Sequence, residues 1–277
     1  MSDALLAALF LVSGLVSLLF SWLLVTAIER VGARLALTEG LLGMLAALAA
    51  DAPEITAAVA ALAGHHSRIG TGVVIGSNVF NLAALLGLAA VLAGRIARLR
   101  LPAAWTGWLS AAVEEEELEL EVAIHPRRGG ARDAALAALA VLVVVGASVA
   151  MERTAAELGT RHAVPEIVTG ALVLAAVTSL PNAVAASYLA ARGRGAAVLS
   201  TALNSNAINV LAGLLLPATL VGLGTPSGQT TFVAASYVGL TAVTLVSAYA
   251  TSGLRRAPGA LVIAAYLAFV AVLLANS

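Results

Sequence analysis

The chain has 277 residues and no formal net charge; 61% of it is hydrophobic and 11% charged. A soluble domain carries about 25% charge, so this composition excludes an ordinary soluble protein, and a balanced charge gives no electrostatic case for a nucleic-acid partner. There is no cysteine, which excludes disulfides and thiolate metal sites, and His65, His66, His125 and His162 lie outside the apolar runs without zinc spacing.

The apolar residues fall into runs of about 20 or more, the length that crosses a ~30 Å hydrocarbon core. They predict an all-α, polytopic membrane protein with about eight transmembrane helices: 5–28, 36–64, 70–93, 133–151, 164–191, 196–221, 229–250 and 257–275. No basic residue or clear cleavage site accompanies the first run, which therefore reads as a retained span. The second run, ~30 residues, would be ~45 Å long as one straight helix, so it is tilted or broken near Pro53. His65 and His66 read as an exposed turn. Residues 1–93 form a first half and 133–277 a second. Between them, 94–132 holds only the short apolar stretch Leu101–Val113, then Glu114–Glu117, Glu119 and Glu121. It reads as a cytoplasmic acidic linker with an interfacial helix near Trp105 and Trp108. The acidic run lacks the alternation of an EF-hand loop and reads as solvated. Gly43, Gly170 and Gly213 mark close helix contacts.

Charge orients the spans. Every basic residue is arginine. Arg30, Arg34, Arg95, Arg98, Arg100, Arg127, Arg128, Arg132, Arg192, Arg194, Arg255 and Arg256 fall on one side, and only Arg68, Arg153 and Arg161 on the other. The richer side is cytoplasmic by the positive-inside rule, which places the N-terminus outside. The second and fifth spans then run in opposite directions.

Those two spans open one motif pair written twice, 128 residues apart. Asp51-Ala52-Pro53-Glu54 is followed by Gly76-Ser77-Asn78-Val79-Phe80-Asn81; Ser179-Leu180-Pro181-Asn182 is followed by Asn204-Ser205-Asn206-Ala207-Ile208-Asn209. Repeats of inverted orientation are a device of secondary transporters, whose sites lie near the midplane where the repeats meet. Each proline lacks an amide hydrogen, which frees carbonyls near Ala49–Ala50 and Val177–Thr178. Asp51 and Glu54 share a helix face, as do Ser77 and Asn81, and Ser205 and Asn209. Carboxylate, amide, hydroxyl and backbone oxygens without sulfur or imidazole suit a hard cation such as Ca²⁺, Mg²⁺ or Na⁺. Taken singly, a Ser or Asn here would read as a helix-contact hydrogen bonder, and Asp51 as a helix cap; the joint repetition favours an ion site.

The motifs resemble the two alpha-repeats of the cation/Ca²⁺ exchanger superfamily, prokaryotic sodium/calcium exchangers above all. That family carries Gly-Thr-Ser-Leu-Pro-Glu, then Gly-Ser-Asn, in each half; Thr178-Ser179-Leu180-Pro181, Gly76-Ser77-Asn78 and Ser205-Asn206 match. The resemblance implies an inverted-repeat transporter, ten helices being the family norm, with alternating access by movement of the first helix of each half. It implies Ca²⁺ ligands at Glu54 and Asn182 with the carbonyls of Ala50 and Thr178. It implies Na⁺ ligands at Asp51, Ser77, Asn81, Ser179, Ser205 and Asn209.

Two positions depart from the pattern: the second glutamate is Asn182 and the first-half serine is Asp51. Two carboxylates therefore remain, both in one repeat. They neutralise a divalent ion, and their mutual repulsion leaves proton coupling open. The expectation is a cation antiporter without a cofactor, and not an enzyme, whose partners are inorganic cations and the lipid bilayer. Na⁺/Ca²⁺ exchange leads; H⁺/divalent-cation antiport and a non-transporting cation binder are the rivals. The compact form points to a prokaryotic plasma membrane.

Overall fold

The computed structural model describes residues 1–35, 45, 47–96, 130–191 and 195–276. The first half contains α1 (Asp3–Arg34), α2 (Ala52–Ala63) and α3. α3 runs over Ser67–Asn81, passes a π-helical turn at Leu82–Gly87 and closes as Leu88–Ala93. The second half contains α4 (Ala131–Arg161), α5 (Glu166–Thr178) and α6 (Leu180–Ala191). α7 follows as Gly195–Ile208, a π-helical turn at Asn209–Leu215, and Leu216–Val221. α8 (Gly228–Ala250) and α9 (Arg256–Ala275) complete it.

Among the described residues six helices are long and apolar enough to cross a membrane, and they fall on six of the predicted spans. The other two spans, the motif-bearing ones, are broken helices. The first breaks at Asp51 (φ −85°, ψ −2°) and the second at Ser179 (φ −85°, ψ −4°). Each proline then sits second in the new helix, where its missing amide hydrogen costs nothing. The break thus lies two residues before Pro53, and the same conformation recurs at the equivalent position of the other half.

α4 continues about three turns beyond its predicted limit at 151. Its last turns are amphipathic, Glu157 pairs with Arg161 one turn on (2.8 Å), and the Val164 amide closes the end on the Gly159 carbonyl (2.8 Å). α1 and α4 lie antiparallel along their whole lengths. Arg30 meets Asp133 (3.3 Å) at one end, the Ser17 and Ser148 hydroxyls meet at 2.7 Å in the buried middle, and Arg161 meets Asp3 (3.0 Å) at the other end. The leading helices of the two halves therefore run in opposite senses, as an inverted repeat requires.

α3 is the central element: 83% of its apolar window is buried, against 22–28% for the other five long helices. It crosses α5 at a seam of small residues. A Cβ on Gly76 would overlap the Ala171 backbone, one on Gly170 would overlap the Ile69 carbonyl, and one on Gly72 would come 2.9 Å from the Ala171 nitrogen. Only glycine permits this approach, which carries Ser77 and Asn78 into the middle of the molecule. Gly170 and Gly213 are thus helix contacts, Gly213 facing Val74. The periphery is apolar, with Leu11, Leu15, Trp22, Leu142, Val238 and Leu267 exposed, as for a protein whose outer solvent is lipid.

A two-residue antiparallel pairing, β1 (Arg95–Ile96) with β2 (Leu254–Arg255), ties the end of α3 to the α8–α9 turn. So short a pairing carries no period for a sequence to betray. Gly43, Trp105, Trp108, the acidic run 114–121 and nearly all of the 94–132 linker lie outside the described residues.

Candidate cation site

The two breaks and the starts of the π-helical turns in α3 and α7 converge on one buried cluster; a third such turn, Thr169–Leu174, lies within α5. Asp51, Glu54, Ser77, Asn81, Thr178, Ser179, Asn182, Ser205 and Asn209 are each at most 4% exposed. α3 and α7 cross at a reciprocal brace: Asn78 Nδ2 donates to the Asn206 carbonyl (3.1 Å), and Asn206 Nδ2 donates to the Asn78 carbonyl (3.3 Å). The two residues are 128 apart, so the pseudo-twofold relating the halves passes between them. Neither is among the ligand positions that the sequence implies, although both stand in the repeated motif; their hydrogen bonds lock the crossing.

Each carboxylate is held from the opposite half. Asp51 Oδ1 accepts from Asn182 Nδ2 (2.7 Å) and from the Ser205 hydroxyl (2.8 Å). Glu54 accepts from the Ser179 hydroxyl on Oε1 and from Asn209 Nδ2 on Oε2. Asn182 also donates to Ser205 Oγ (3.1 Å), and Asn81 Nδ2 donates to Ser205 Oγ (3.3 Å) and Asn206 Oδ1 (3.1 Å). Thr178 stands at the second break, its hydroxyl bonded back to the carbonyls of Leu174 (3.0 Å) and Ala175 (3.3 Å). The Ala50 carbonyl stands at the first.

α1 contributes a residue that the motifs do not contain. Pro53 leaves the Ala49 carbonyl without its helical donor, and the buried Ser21 hydroxyl takes that place at 3.0 Å, reaching also toward the Ala50 carbonyl at 3.3 Å. No spacing within the repeats could have found Ser21, because it comes from another helix. His66 likewise does more than fill an exposed turn: its Nδ1 lies 3.0 Å from Glu166 Oε1, joining the α2–α3 turn to the start of α5.

The buried polar atoms left without a partner define the chemistry. Among the described residues they are Asp51 Oδ2, Ser77 Oγ, Asn81 Oδ1, Asn209 Oδ1 and, apart from the cluster, Glu152 Oε1. All are oxygens, and four belong to the cluster. Buried polar groups are ordinarily satisfied, so four unpartnered oxygens, one of them on Asp51, gathered around the two carboxylates suit a hard cation and repel an anion.

The sequence profile of the family described as "Sodium/calcium exchanger protein" matches residues 5–113 and 133–275. The chain belongs to this family. No curated protein matches it. Its fold is shared with native YfkE (TM-score 0.68, 16% identity, 95% of this chain and 91% of that one). It is also shared with the H⁺/Ca²⁺ exchanger CAX (TM-score 0.67, 12% identity, 98% and 86%). The sodium–calcium exchanger NCX_Mj matches as well (TM-score 0.57, 19% identity, 98% and 99%). Members of the family are membrane transporters of inorganic cations, Ca²⁺ among them, and this chain is a polytopic membrane protein of that kind.

Proposed function

We propose that this protein is a Na⁺/Ca²⁺ antiporter of a prokaryotic plasma membrane, working by alternating access at the buried cluster. The observation that carries the reading is the set of four unpartnered oxygens, one on Asp51 itself and three beside it, in the cluster that also holds Glu54. Two carboxylates neutralise one divalent cation, which a single carboxylate in low dielectric would not. In this reading Glu54, the Asn182 side chain and the carbonyls of Ala50 and Thr178 hold Ca²⁺. Asp51, Ser77, Asn81, Ser179, Ser205 and Asn209 hold Na⁺. The ligands come from both halves, so a movement of one half against the other opens the cluster to one face at a time.

A second reading replaces Na⁺ with protons. Asp51 favours it: a carboxylate stands where the resemblance implies a serine, and the neutral Asn182 amide and Ser205 hydroxyl are its donors. Two buried carboxylates in one cluster, with no cationic side chain among the described residues bonded to either, give a proton two places to bind.

The deciding experiment is ⁴⁵Ca²⁺ uptake into proteoliposomes, one set loaded with Na⁺ at fixed pH and one Na⁺-free with an imposed pH gradient. The expected result is uptake driven by the outward Na⁺ gradient and lost in Glu54→Gln. Uptake driven only by the pH gradient replaces Na⁺ by H⁺ and makes Asp51→Asn the inactivating change. No flux in either set would sink the transport reading and leave a protein that binds cations without moving them.

A further inference from the structure

Two arginines face each other where the end of the first half is tied to the second. In the β1–β2 pairing Arg95 is the partner of Arg255, and Ile96 of Leu254. Residues directly opposite in an antiparallel pair project to the same side, with Cβ atoms about 5 Å apart. Ile96 and Leu254 are buried, so they take the inner side and the arginines the outer. Arg95 is half-buried and Arg255 exposed.

Like charges directly opposite are destabilising, and nothing described offsets these two. Arg256 is accounted for: its Nε donates to the Val91 carbonyl (3.2 Å) near the C-terminus of α3. Arg95 and Arg255 form no ion pair among the described residues. The helices packed against the tie, α3, α7, α8 and α9, contain no aspartate or glutamate. Arg255 also precedes α9, whose N-terminus has no side-chain cap and no acidic residue in its first turn. Two guanidinium groups and the positive end of a helix thus meet without a counter-charge.

The surroundings specify the anion. The tie lies on the side that the arginine asymmetry marks as cytoplasmic. Leu92 at the end of α3, Tyr249 at the end of α8 and Leu261 in the second turn of α9 are all exposed. Leu261 is six residues beyond Arg255, about 9 Å along the helix, so lipid-facing surface begins next to the charges, and a tyrosine at this depth suits the headgroup level. A free phosphate would use the arginines alone; a phospholipid would also lay its acyl chains on the apolar surface.

We propose that Arg95 and Arg255 bind the headgroup phosphate of an anionic phospholipid of the cytoplasmic leaflet, and that the bound headgroup holds β1 against β2. Guanidinium groups grip phosphate bidentately, and the shared anion turns a repulsive pair into a bridge. The proposal is independent of which ion drives transport.

The experiment is native mass spectrometry of the delipidated, purified protein in detergent with added phosphatidylglycerol, alongside its melting temperature. The native chain is expected to retain one phosphatidylglycerol and to melt higher with it; phosphatidylcholine and inorganic phosphate do neither. Arg95→Gln and Arg255→Gln each weaken retention about fivefold, whereas Arg68→Gln, at the opposite end of α3, does not. Without lipid, Arg255→Gln melts no lower than the native chain, because a like-charge contact is relieved; with phosphatidylglycerol the native chain melts higher. A purely structural arginine would not produce that inversion. Retention unchanged in both glutamine variants, or equal for phosphatidylcholine, overturns the proposal. Equal stabilisation by inorganic phosphate assigns the pair to a free anion and overturns the lipid. Retention seen only after Glu114–Glu117, Glu119 and Glu121 are changed to Gln overturns it also, giving the arginines to the chain's own acidic run.

Discussion

At the scale of single residues, the pairing of Asp51 with Asn182 explains how this chain tolerates two departures from its family's pattern at once. The Asn182 amide donates to Asp51 Oδ1 at 2.7 Å, so each substitution fits the other. Asn182→Glu alone places two carboxylates in contact and is expected to suppress Ca²⁺ uptake by like-charge repulsion. Asp51→Ser with Asn182→Glu restores one carboxylate to each half and is expected to recover it. A double-mutant cycle in proteoliposomes checks this; simple additivity of the two changes would count against the pairing. Ser21 makes a separate case. Ser21→Ala strips the Ala49 carbonyl of its side-chain donor among the described residues and should cost about 1–3 kcal/mol of stability, read as a lower melting temperature in detergent. That these positions gather in one cluster was legible because polar residues recur at one offset in the two halves. Ser21 was not, because a hydroxyl on an apolar helix looks the same in sequence whether it faces a carbonyl or lipid.

At the scale of elements, the functional geometry depends on irregular helices and on a glycine seam. The π-helical turns begin at Leu82, directly after Asn81, and at Asn209 itself. Such turns shift the helical register by a residue and are frequent at functional sites; here they let both motif asparagines face the cluster. Hydrophobic periodicity does not reveal them, since they lie in segments apolar on every side, and the spans 70–93 and 196–221 accordingly read as plain helices. The α3–α5 seam gives a direct test. Gly76→Ala adds a methyl that the Ala171 backbone already occupies, so the helices must separate, at a cost of about 1–3 kcal/mol. Reduced thermal stability together with weakened ⁴⁵Ca²⁺ binding is expected, because the adjacent Ser77 moves with the backbone. Gly146, beside which an added Cβ meets nothing, should accept alanine without effect.

At the scale of the whole molecule, the inverted arrangement follows from the charge pattern and the repeated motif, and the antiparallel α1–α4 pair displays it. The break positions, the His66–Glu166 bond and the β1–β2 tie needed three-dimensional neighbours and were beyond pattern reasoning. The absence of native cysteine makes the orientation simple to test. Arg68→Cys, at the start of α3, and Ser252→Cys, beside β2, should react with a membrane-impermeant maleimide from opposite faces of oriented vesicles, Arg68→Cys from outside. Labelling of both from one face would refute the topology. The two halves share a backbone plan but no longer a composition, for both site carboxylates belong to the first. Two copies of that half around one site would gather four negative charges and two copies of the second none, and neither set balances a lone divalent ion. On the proposed charge balance, neither half could build a working site with its own twin, and the site needs one copy of each.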